Sequence, residues 1–198
     1  MKNSWKLKDI LLIAICAVLF GVVYLGVTYA GAAVGAALTP FGMTSMGYEP
    51  FYGIYFMAAA FAAYVIRKPG AGIIAEILAA IIETMMGNFF GPKIILSGFV
   101  QGLGIELIFM LTRYKKWDYK TMCISAVICS VMTMIYNLFV SGYIKIAVPV
   151  LLLMLAVRLV SAVLIDGLLV KFLGDGLAKA GVLKGYAVAG GMQQNLDD

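Results

Sequence analysis

Apolar runs of about 20 residues, separated by short turns and basic clusters, follow one another along almost the whole chain, and that alternation limits what it can fold into. At a rise of about 1.5 Å per residue such a run spans the roughly 30 Å hydrocarbon core of a bilayer as a helix. The chain is 63% apolar and only 13% charged, with a mean hydropathy of +1.00. Soluble domains are about 45 to 50% apolar and 25% charged. The reading is an all-α integral membrane protein with six transmembrane helices, at about 8–29, 50–66, 69–87, 93–112, 119–140 and 148–173, and a tail over 174–198. No repeat or second domain interrupts it, so residues 1–198 read as a single transmembrane domain.

The same basic clusters set an orientation. Lys2, Lys6, Lys8, Arg67, Lys68, Arg113, Lys115, Lys116, Lys120, Lys171, Lys179 and Lys184 fall on one side of these helices, and only Lys93 and Lys145 on the other. The positive-inside rule then predicts cytoplasmic N and C termini. The net charge of +5 is accounted for by this topology and implies no nucleic-acid partner. The apolar run from Ile10 to Val27 exceeds the roughly 7 to 15 residues of a signal h-region, so a retained first helix is expected, not a cleaved leader. With no histidine, and with Cys16, Cys123 and Cys129 buried in apolar runs without a Cys-x-x-Cys spacing, neither a metal site nor a cofactor is expected.

Within this frame the stretch Pro69 to Pro92 is unusual, because it is apolar enough for lipid yet carries Glu76 and Glu83. Seven residues are two helical turns, which puts both carboxylates on nearly one face. An acid near the bilayer centre costs about 2.5 to 3.5 kcal/mol, against about 0.3 to 0.6 returned by each Leu or Ile. The acidic face is therefore expected to look into the protein or a water-filled cavity, where an intramembrane acid marks a functional site.

Depth counted along the helices places Glu83, Gln101, Asn137 and Arg158 in the middle or outer half, with Glu76, Glu106 and Asp166 nearer the cytoplasm. Glu49, Tyr48, Tyr52, Tyr55 and Asn88 belong at the outer rim. One arginine cannot neutralise four intramembrane acids, although Arg158 is a candidate partner for Glu83 or Glu106. Glu76 and Asp166 read equally well as local structural groups. The connection 30–50, rich in Gly and Ala and without a basic residue, reads as mobile. Ala14, Ala17 and Gly21 form a small-residue strip along the first helix, either for packing inside the bundle or for docking a separate membrane subunit.

Carboxylates with tyrosines suit a cation or an amine-rich heterocycle, whose charge offsets carboxylate desolvation and whose cation meets aromatic faces. Several classes use such a site. A stand-alone proton-coupled carrier of a small organic cation is one. A small membrane transferase of the CDP-alcohol type is another, but it needs clustered aspartates for a divalent metal, and Asp166-Gly167 stands alone.

The blocks Tyr48-Glu49-Pro50-Phe51-Tyr52-Gly53, Arg67-Lys68-Pro69-Gly70, Glu83 with Gly87-Asn88 and Gly91-Pro92, Gln101-Gly102-Leu103-Gly104 with Glu106, and Asn137 to Tyr143 resemble the YkoE family. Its members are substrate-binding S components of energy-coupling-factor (ECF) vitamin transporters, assigned to thiamine and its hydroxymethylpyrimidine precursor. The resemblance covers all six helices and differs in the Gly42–Gly47 stretch. It implies an S-component bundle in a prokaryotic plasma membrane that takes its vitamin from outside. It also implies delivery through a transmembrane coupling subunit and two cytoplasmic ATPases. The chain has no Gly-x4-Gly-Lys-Ser/Thr loop, so ATP chemistry would lie in those other subunits. Ala14, Ala17 and Gly21 would be the docking strip. The ligand-binding candidates are Glu49, Tyr52, Tyr55, Glu83, Asn88, Gln101, Glu106, Tyr136 and Asn137. Among them Glu83 or Glu106 would accept from the aminopyrimidine amine, Gln101 or Asn137 would serve a ring nitrogen, a tyrosine would stack, and Glu49 would sit near the thiazolium.

Overall fold

The computed structural model describes residues 4–194. Lys2 and the last tail residues, Asp197 and Asp198, lie outside them. Nine α-helices are found among the described residues: α1 (Leu7–Leu38), α2 (Tyr52–Tyr55), α3 (Met57–Ile66), α4 (Ala71–Met85), α5 (Lys93–Leu111), α6 (Tyr119–Val140), α7 (Val148–Ala162), α8 (Val170–Lys179) and α9 (Ala187–Gln194). The described residues contain no strand. Five helical stretches are long and apolar enough to cross a membrane: Leu7–Phe41, Thr44–Ile66, Lys93–Leu111, Tyr119–Val140 and Val148–Lys179. α4, expected as the third span over 69–87, has 15 residues and so rises only about 22 Å.

At the centre of the bundle lies α3. Its Ala58, Ala59, Ala60, Ala62 and Ala63 are all at most 1% exposed, as are Tyr64, Val65 and Ile66. A helix buried on every side must be thin, and alanine lets its neighbours approach closely. α4 packs against α1, α3 and α5, and α5 continues the contact to α6. Glycine permits the nearest of these approaches. A Cβ on Gly102 would stand 2.6 Å from the Ile73 Cα of α4, and one on Gly104 2.7 Å from the Cys129 Cα of α6. The opposite face of α1 carries exposed Ile15, Val18, Leu19 and Val22, an apolar surface of the kind that faces lipid.

Three expectations are corrected here. The connection 30–50 is not a loose linker: α1 continues to Leu38, and short 3-10 turns cover Thr39–Phe41 and Thr44–Phe51. Its small residues let backbone meet backbone, since a Cβ on Gly47 would collide with the Gly35 nitrogen and one on Gly35 would lie 2.6 Å from the Thr44 carbonyl oxygen. Second, the small-residue strip on α1 is divided. Gly21 faces α4, where a Cβ would meet Ile82 Cγ2 at 2.9 Å, and Ala17 is 1% exposed; of the three, Ala14 alone faces outward. Two of the three expected docking residues are thus consumed by packing inside the bundle. Third, the last helix does not stop near 173. α7 runs through a π-helical turn, Val163–Leu169, into α8, and the tail includes α9.

Candidate functional site

A cavity of about 230 Å³ opens between α1, α2, α4, α5 and α6 at the end of the bundle away from Arg67, Arg113 and Lys116. Its size is below the roughly 300 to 1,000 Å³ of sites for drug-sized ligands, which suits one small organic molecule. Tyr52, Tyr55, Glu83, Asn88, Gln101, Tyr136 and Asn137 all line it. Glu76, Tyr24, Thr28, Tyr48, Phe90, Lys93 and Tyr143 line it as well.

The floor is built on a broken helix. The chain interrupts itself at Phe56, between α2 and α3, and thereby leaves free amides at the start of α3. Glu76 Oε2 accepts from the Ala59 amide at 2.8 Å and from the Tyr24 hydroxyl at 3.1 Å, while that hydroxyl accepts from the Ala58 amide at 2.9 Å. A carboxylate at a helix N-terminus is favoured by those amides and by the helix dipole. With its amide turned to match its neighbours, Gln101 donates to Glu76 Oε1 at 3.0 Å and to the Tyr55 carbonyl at 3.1 Å, and accepts from Ser97 Oγ at 3.0 Å.

Two turns along α4, Glu83 is held from one side only. Its Oε1 accepts from Thr28 Oγ1 at 2.9 Å and from Asn88 Nδ2. Because the Thr28 hydroxyl gives its proton to Glu83, the 2.9 Å contact between Thr28 and Tyr55 is a bond donated by the Tyr55 hydroxyl. Among the described residues Oε2 accepts no hydrogen bond, and unlike the sealed Asp166 oxygens it is open to the cavity that Glu83 lines. That oxygen is a free hydrogen-bond acceptor in a pocket walled by aromatic rings.

On the far wall, the Asn137 amide donates to the Tyr52 hydroxyl, and its Oδ1 accepts from Ser141 Oγ at 3.2 Å. The Tyr52 and Tyr55 rings meet edge to face with centroids 5.8 Å apart, and Tyr48 meets Phe90 in the same way at 5.5 Å. At the rim, the Tyr136 hydroxyl donates to the Lys93 carbonyl at 3.1 Å.

Two expected ligand residues are elsewhere. Glu49 is fully buried and does not line the cavity. It is paired with Arg158, whose Nε and Nη2 donate to its two oxygens, each at 2.7 Å, and the Tyr143 hydroxyl donates to it at 3.3 Å. Arg158 therefore serves neither Glu83 nor Glu106. Glu106 lies at the other end of α4, where its carboxylate accepts from the Gly72 amide at 2.6 Å, the Gly70 amide at 2.9 Å and the Tyr114 hydroxyl at 2.9 Å. The two amide bonds secure the start of α4 and the tyrosine bond ties it to the turn after α5, so Glu106 caps α4 and does not line the cavity. Asp166, on the π-helical turn, is buried with both oxygens unpartnered among the described residues.

Sequence reasoning undervalued Glu76, although its spacing from Glu83 was the available signal. It missed Tyr24 and Thr28, which lie four apart on the inward face of α1.

Known proteins align with this architecture along nearly its whole length. A solved crystal structure of an S-component of an ECF transporter superposes with a TM-score of 0.90, at 41% identity, covering 98% of this chain and 96% of that one. The fold with its cavity thus defines the class: an S component of an ECF transporter. Residues 8–132 match the family described as the permease component of an ABC-type cobalt transport system. The protein named as an HMP/thiamine permease, YkoE of Bacillus subtilis (strain 168), is 43% identical over 186 residues, 94% of this chain and 91% of its own. The chain belongs to the YkoE family. Despite the cobalt in the matched family's description, the described residues hold no group of three His, Cys, Asp or Glu side chains close enough to bind a metal ion.

Proposed function

We propose that this chain captures thiamine, its hydroxymethylpyrimidine precursor, or both, from the outer side of a prokaryotic plasma membrane. It acts as a single transmembrane domain of six spans with cytoplasmic termini, α4 serving as the short third span. The ligand passes inward through a transmembrane coupling subunit driven by two cytoplasmic ATPases. The observation that carries the reading is the accessible Glu83 Oε2 beside Glu76 in a tyrosine-walled cavity. An exocyclic amine donates to that carboxylate, a ring nitrogen accepts from the remaining N–H of the Asn137 amide, and the heterocycle packs on Tyr52 or Tyr55. The basic clusters at the opposite end of the bundle support an outward-facing mouth. The HMP/thiamine naming of the Bacillus subtilis relative supports the ligand class.

Calorimetric titration of the detergent-purified protein with thiamine and hydroxymethylpyrimidine tests the reading. Saturable binding of at least one is expected, and binding of neither overturns it.

A further inference from the structure

The Arg158 guanidinium lies over the Tyr52 ring, with Cζ 3.5 Å from the ring centroid. Arg158 is fully buried and does not line the cavity, whereas Tyr52 does. One face of Tyr52 is therefore covered by a cation, and the ligand meets what remains of the ring. Glu49 holds the guanidinium by two bonds of 2.7 Å, and Arg158 Nη1 donates to Thr133 Oγ1 at 3.2 Å. These bonds leave the guanidinium little freedom to leave the ring.

An aromatic ring attracts cations through the negative potential of its faces. A guanidinium on one face draws π-electron density toward itself, so the ring offers less to a second cation. Because Glu49 makes the pair neutral as a whole, the effect is confined to Tyr52 and does not repel cations from the entire cavity.

We propose that Arg158 is a positioning residue that assigns Tyr52 to the neutral heterocycle of the ligand and directs the ligand's cation elsewhere. The proposal rests on the thiamine and hydroxymethylpyrimidine reading, and those two compounds test it, since they share the pyrimidine while only thiamine carries the thiazolium charge. The measurement is the ratio of their affinities in wild type and in the double variant Glu49→Gln/Arg158→Met, which removes both charges and keeps the buried bulk. Freed of its guanidinium, the ring gains attraction for the cation alone. The ratio is expected to move toward thiamine by about threefold or more, the lower range of a cation–π contact. A common loss in both affinities, or a ratio unchanged or moved the other way, makes Arg158 a structural residue and overturns the proposal.

If the double variant does not fold, Tyr52→Leu in the wild-type background supplies the test. Loss of a ring that packs on the shared pyrimidine weakens both ligands by the same factor. A loss confined to thiamine places the thiazolium on Tyr52 and overturns the assignment. Wild-type protein that binds neither compound removes the substrate reading and this inference with it. Wild-type binding with an unmoved ratio removes the role of Arg158 alone.

Discussion

Thr28 on α1 and Glu83 on α4 are joined by a hydrogen bond of 2.9 Å that fixes one carboxylate oxygen and leaves the other to the cavity. Glu83→Gln preserves the shape and removes the charge, and is expected to weaken ligand binding about tenfold or more, as the loss of a charged hydrogen bond implies. Thr28→Val removes the orienting hydroxyl only. It should cost about two- to tenfold, and calorimetry on both variants would show an unchanged affinity if Glu83 did not meet the ligand.

The pairing of Glu49 with Arg158 predicts a non-additive pattern of stability. Arg158→Met alone strands a buried carboxylate and should lower stability by about 3 to 5 kcal/mol. Combining it with Glu49→Gln should recover most of that loss. Apparent melting temperatures in detergent decide the matter, and a double variant less stable than Arg158→Met would contradict the pairing.

Two glycines of α1 should respond oppositely to alanine. A Cβ added at Gly26 would have nothing within 4 Å, so Gly26→Ala should be neutral or stabilising by up to about 1 kcal/mol. At Gly35 the added carbon would lie 2.6 Å from the Thr44 carbonyl oxygen, which forces the Thr44–Phe51 turn off the helix. Because that turn carries Tyr48 into the cavity wall, Gly35→Ala should lower both the melting temperature and ligand affinity.

Asp166 has no hydrogen-bond partner among the described residues although it is fully buried. Replacing it with Val, similar in size and without polar atoms, should raise stability by about 1 to 3 kcal/mol. Since Asp166 does not line the cavity, affinity should not change. A drop in melting temperature would mean that the carboxyl has a partner in the membrane.

Much of this architecture was legible because lipid imposes simple rules. Apolar runs ended by basic clusters marked the five stretches long and apolar enough to cross a membrane, and the seven-residue spacing of Glu76 and Glu83 announced an inward acidic face. What escaped depends on contacts between distant segments. Glu49 and Arg158 are 109 residues apart, and no local pattern reveals which acid an arginine will reach. Glu106 looked like a ligand residue because its depth was readable, but not that α5 sets it against the first amides of α4. The glycines and alanines of 30–50 read as looseness, whereas Gly31, Gly35 and Gly47 permit the tightest contact between α1 and the turn that follows it.

Glu76 does two jobs, since the oxygen that seals the start of α3 belongs to the same carboxylate that forms the cavity floor. A receptor made this way has a floor that cannot drift in sequence without unseating its central helix. Relatives that diverge toward other small molecules would then do so at Glu83, Asn137 or Tyr48, where the wall is held by side chains alone. In this architecture the mouth can change one side chain at a time, whereas the acid at the bottom is tied to the scaffold.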